Sequence, residues 1–169
     1  MSGAVSPLRE NPTFIKMLTM FSNPLAGILV GILFTAVLQS ASASVGILQA
    51  LSVTGGISFA VALPIVMGIG VGAACPVLMS AIGTNKNGKR TALIYLLNDL
   101  FGMIFWSIVF YSVNAIVHFP FMGEIMSPFR VALLNTVFRL LTILVLAPFI
   151  GKIEKLVFFL IKDTDEDNE

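Results

Sequence analysis

The 169-residue chain is 57% hydrophobic and only 11% charged, with a mean hydropathy of +0.96. Soluble domains carry about 25% charged residues, so these values exclude a water-soluble fold and imply an all-α integral membrane protein. A formal net charge of +1 leaves no electrostatic footprint for nucleic acid, and one histidine, one cysteine (Cys75) and no paired carboxylates in the apolar core argue against an enzyme, a resident cofactor or an internal disulfide.

In chain order, residues 1–21 form a first unit. Pro12 followed by Phe14, Ile15, Met17, Leu18 and Phe21 predicts either a short amphipathic helix at the membrane surface, with Lys16 toward the headgroups, or a plain connector. The opening stretch to Pro12 is polar and proline-bearing, so no cleavable signal peptide is expected there.

Residues 22–151 form the membrane unit, in which no charge occurs between Lys16 and Lys86 and only Asp99 and Arg139 interrupt the two later apolar runs. About 20 apolar residues cross a bilayer, which gives about four membrane segments. The first opens at Asn23-Pro24 and holds Gly27 and Gly31, a spacing that permits close helix approach. From Leu25 to Leu38 it reaches only about 21 Å of a hydrocarbon core of about 30 Å before meeting Gln39-Ser40-Ala41-Ser42-Ala43-Ser44. Two readings fit this cluster. One is a continuous helix with a small-residue packing face. The other is a break, with a second half-helix over about Val45–Val53, capped by Ser42 or Ser44 and turning its positive end toward an anion.

After a turn at Thr54-Gly55-Gly56, the next segment, Ile57 to Ile82, carries Gly68, Gly70 and Gly72 ahead of Pro76. Glycine and proline both weaken a helix, which predicts a second interruption with Pro76 opening the next half-helix and a backbone ion site at the three glycines. The loop Thr84–Arg90 holds three positive charges in seven residues, which argues for the cytoplasmic side. The N-terminal segment and the C-terminal tail are expected on that side too, in the plasma (inner) membrane. Asp99 and Arg139 reach similar depths in the last two helices, so an intramembrane ion pair is expected, with contact between Arg139 and an anionic substrate as the competing reading. His118 reads as interfacial, and residues 152–169 as an amphipathic stretch with an acidic tail.

The run from Asn23-Pro24-Leu25 through Gln39-Ser40-Ala41-Ser42-Ala43-Ser44-Val45-Gly46 resembles the Gln-Ser-Ser-Ser repeat of the type II sodium-phosphate cotransporter family. The likeness extends over about residues 7–150 and to the second repeat only. It implies one repeat with broken or re-entrant helices, half of a two-repeat carrier that moves phosphate or a related anion with sodium as coupling ion. Its other half would be a second repeat or another copy of the chain, held in membrane lipid. By position, Gln39, Ser40, Ser42 and Ser44 match the family's substrate- and ion-binding motif, with Ala41 in place of its middle serine. The chain departs from the family at Gly68-Ile69-Gly70-Val71-Gly72-Ala73, where Gly-Gln-Asn-Ile-Gly-Thr is typical, and at Asp99 and Arg139, where asparagine is usual. These departures keep a second function open: a degenerate, non-transporting repeat that assembles with or regulates another subunit.

Overall fold

The computed structural model describes residue 21 and residues 23–162; the expected surface helix over 1–21 and the acidic tail otherwise lie outside these residues. Helix α1, Pro24–Leu38, begins where the Asn23 side chain accepts the Leu25 N–H at 3.0 Å, with Pro24 in the first turn. It ends at Gln39, whose φ of 53° places a non-glycine residue in the left-handed region. Ser40 is extended, and α2 then runs Ala41–Ser52. The sequence-level break is therefore real.

Its geometry is a fold-back. Thr35 Oγ1 donates to Ser44 Oγ at 2.9 Å, whereas nine residues of straight helix would separate them by about 13 Å. Val30 and Phe34 of α1, Ser44, Ile47, Leu48 and Leu51 of α2, and Phe21 just before α1 line one apolar cavity. The α1–α2 unit is thus a hairpin with its tip at Gln39-Ser40.

Helix α3, Phe59–Gly72, is the buried centre: every residue from Val61 to Gly72 is enclosed. It runs alongside α1 through small residues. A Cβ at Gly27 would lie 2.7 Å from Pro64, one at Gly31 would run into the Ile65 carbonyl, and one at Gly72 would sit 2.6 Å from the Ile32 carbonyl. The glycines expected to unwind the chain are helical instead. The interruption falls at Ala73, which keeps helical dihedrals (φ −65°, ψ −18°), and α4, Ala74–Ala81, continues the span. Pro76 lies inside the first turn of α4 and does not open it. The close fit to α1 outweighs the low helix propensity of the glycines, because only a residue without Cβ lets the backbones approach.

After the basic loop, α5 runs Lys86–Val117, capped by Asn85, whose side chain accepts the Gly88 N–H at 3.0 Å. A 3-10 turn at Pro120–Gly123 leads to α6, Pro128–Leu146, and a second, Ala147–Phe149, to α7, Ile150–Leu160. Three stretches are long and apolar enough to cross a membrane: Phe59–Ala81, Lys86–Val117 and Pro128–Leu160. The hairpin is the fourth membrane element.

The two ends of the bundle are tied separately. At one, Arg90 donates to the Ile161 carbonyl from Nε (3.1 Å) and Nη2 (2.7 Å) and lies over the Phe158 ring. At the other, a bridge joins Ser58 and Ile125, and Met126 N–H donates to the Ile57 carbonyl at 2.8 Å. Phe21 packs into the cluster that includes Ile57 and Met126. The start of α1 therefore lies opposite the Lys86–Arg90 end, because the Thr35–Ser44 closure returns the chain to the face at which α1 began; the N-terminal segment expected on the cytoplasmic side lies outside the described residues.

Candidate functional site

The hairpin tip concentrates polar side chains in an apolar surround. Ser40 Oγ accepts the Ala43 N–H at 3.2 Å, so Ser40 caps α2 in place of Ser42 or Ser44. Its extended backbone is what aims the oxygen at the first turn. Ser42 Oγ lies 3.2 Å from Ser40 Oγ on the exposed side. Ser44 is fully buried; it donates to the Ser40 carbonyl at 3.0 Å and accepts from Thr35. The Gln39 amide reaches Met79 Sδ on α4 at 3.3 Å. Ser44 therefore closes the hairpin, while Gln39 and Ser42 remain accessible.

Two cavities meet beside this tip. An open groove of about 620 Å³ between α2, α5 and α6 is lined by Ser42, Gln49, Tyr95, Asn135, Thr136 and Arg139, among others. A smaller one of about 180 Å³ is lined by Gly70, Tyr95, Asn98, Asp99, Arg139 and Thr142, among others. Tyr95 and Arg139 border both.

Asp99 and Arg139 thus face one cavity, as their equal depth in the sequence suggests, but their side chains form no direct ion pair. The closest polar contact of the Asp99 carboxylate is Asn98 Nδ2 to Oδ1, at 3.4 Å. Asp99 Oδ2 and Thr142 Oγ1 are buried without a hydrogen-bond partner. Such atoms are costly in hydrocarbon, and this cavity holds two of the four buried side-chain polar atoms without a partner among the described residues, the others being Trp106 Nε1 and Tyr111 OH.

The family model described as Na+/Pi-cotransporter matches residues 4–135, spanning the hairpin, α3, α4, α5 and the first turns of α6. The chain belongs to the Na+/Pi-cotransporter family. No curated protein and no solved structure gives a match. As a member of a sodium-coupled transport family with three apolar spans, it is an integral membrane protein with a transport role.

Within this member of the cotransporter family the structure sorts the residues singled out from sequence. Gln39, Ser40, Ser42 and Ser44 gather at the tip, and Ser42 shares the groove with Arg139. Gly68 and Gly72 turn toward α1, while Gly70 faces Phe138 and the Asp99 cavity. The Gly70 carbonyl accepts the Ala73 N–H at 3.2 Å, and Pro76 has no N–H to offer the Gly72 carbonyl one turn back. Sequence reasoning missed Gln49, Tyr95, Asn98, Asn135 and Thr136. Their signal was helical spacing: Ser42 and Gln49 are seven apart, Asn135 and Arg139 four, Tyr95 and Asp99 four, each pair sharing one face of an otherwise apolar helix.

Proposed function

We propose that the chain transports inorganic phosphate or a closely related anion with sodium, as one half of a two-repeat carrier, and that the anion binds in the groove between the hairpin tip and α6. The observation that carries this reading is that Ser42, beside the N-terminus of α2, and Arg139 line one open cavity. A hydroxyl donor, free amides of a first helical turn and a guanidinium are the groups that suit a tetrahedral oxyanion. Ser40 and Gln39 position the tip. The oxygens of Gln39 and Ser40 and the Gly72 carbonyl, each neutral, suit sodium better than a divalent ion.

A degenerate, non-transporting repeat remains the second reading, and one observation favours it: Gly70, where the resemblance implies asparagine, faces Phe138 and the Asp99 cavity with no side-chain oxygen, and Ile69, in place of glutamine, is fully buried. Uptake of phosphate into proteoliposomes, with and without an inward sodium gradient, separates the two. Transport predicts sodium-dependent uptake that falls at least tenfold in Ser42→Ala and Arg139→Gln with folded protein retained. Equal uptake in both variants and wild type would remove the groove assignment; no uptake from folded wild-type protein would favour the second reading.

A further inference from the structure

Among the described residues, Arg139 is the one charged side chain that borders both cavities. On one side it faces Ser42 and the open groove; on the other it shares the smaller cavity with Asp99. It bonds Asp99 directly on neither oxygen, so it is not locked into a structural pair. A guanidinium keeps its proton in proteins, whereas a carboxylate in an apolar setting is held in its charged form by a neighbouring cation and is neutralised by a proton when that cation leaves. The buried Asp99 Oδ2 has no partner to replace it, and Thr142 Oγ1 lines the same cavity, equally without a partner.

We propose that Arg139 is shared between Asp99 and the transported anion: it serves Asp99 when the groove is empty and the anion when the groove is filled, and Asp99 takes up one proton as Arg139 turns away. No bond other than the O–H of Asp99 forms. The proton comes from hydronium in the solution that fills the groove, whose O–H bond breaks to leave water, and it returns to water there when the anion leaves. Proton binding and anion binding are thus coupled, in addition to any role of sodium. Facing Asp99 are Tyr95 on its own helix and Arg139 on α6; α3 contributes Gly70 and holds no titratable residue. Helices α4 and α7 also pack on α5, but their Cys75, Lys152, Glu154 and Lys155 border neither cavity.

This rests on the anion site proposed above, so the test reads the two separately. Phosphate binding to the full chain in lipid vesicles is measured by equilibrium dialysis, and protonation of Asp99 by infrared difference spectroscopy, which distinguishes a protonated carboxyl from a carboxylate. At neutral pH, inorganic phosphate is expected to produce a protonated-carboxyl band in wild type, to shift it in Asp99→Glu and to produce none in Asp99→Asn. Arg139→Gln is expected to show the band without phosphate and to lose it when Asp99→Asn is added. Where Asp99 is ionised in the empty site, the phosphate Kd of wild type should weaken about tenfold per pH unit relative to Asp99→Asn, as one linked proton requires. Phosphate binding with no carboxyl band in wild type overturns the shared arginine and leaves the anion site standing. Absence of phosphate binding in wild type overturns both, and an Arg139→Gln spectrum without the band removes the Asp99–Arg139 link whatever phosphate does.

Discussion

At the scale of single residues, the three alternate glycines of α3 are not equivalent. A Cβ at Gly68 would run into the Ile28 carbonyl and approach Gly31 Cα at 3.0 Å, both backbone atoms that cannot swing aside. At Gly70 it would meet only Phe138, at 3.9 Å, an ordinary contact. Overpacking of this kind costs about 1–3 kcal/mol, whereas alanine in place of glycine inside a helix gains up to about 1 kcal/mol. Gly68→Ala is therefore expected to lower the thermal unfolding temperature in detergent, and Gly70→Ala to leave it unchanged or raise it. Equal effects would mean that α1 and α3 do not pack as described. The Gly-Ile-Gly-Val-Gly stretch shows where sequence reading stops at this scale: propensity marks the glycines as weak points, but the contact that makes them necessary belongs to α1, some forty residues earlier. For Gly27 and Gly31 the same logic was legible, because their spacing of four in an apolar segment has packing as its main use.

At the scale of elements, the break between α1 and α2 was legible and its angle was not. Amide and hydroxyl groups inside hydrocarbon mark a discontinuity, but a kinked passage and a reversal share that signal. What decides between them is the Thr35–Ser44 hydrogen bond together with the fit of α1 on α3, and the second is not local to the cluster. Gln39 has two separable roles here, a left-handed backbone and an accessible side chain. Glycine adopts that backbone readily. Gln39→Gly is thus expected to keep the unfolding temperature of wild type while abolishing sodium-dependent phosphate uptake, whereas Ser40→Ala, which removes a helix cap, should lower stability by about 1 kcal/mol. Loss of folded protein in Gln39→Gly would show that the amide bond to Met79, not the backbone, holds the tip.

At the scale of the molecule, the described residues have two distinct ends: one carries Lys86, Lys89 and Arg90 with the close of α7, the other the starts of α1, α3 and α6. In a Cys75→Ala background, single cysteines at Asn23, Gly56 and Gly123 should react with a membrane-impermeant maleimide from one face of the vesicle, and a cysteine at Asn87 from the other. Labelling of the Asn23 position together with Asn87 would make α1 a full passage and undo the hairpin. The chain's membrane character and its basic loop follow from composition; the side on which α1 begins does not, because it depends on counting a hairpin as zero crossings. The depth of that hairpin also bears on voltage. Fifteen residues of α1 extend about 22 Å, so beneath an open groove only about 8 Å of a hydrocarbon core of about 30 Å would separate the tip from the opposite solution. Most of the transmembrane potential then falls across that thin septum, and a charge carried past Gln39 traverses most of the field in one short step. Each unit of net charge moved there corresponds to about 2.3 kcal/mol per 100 mV.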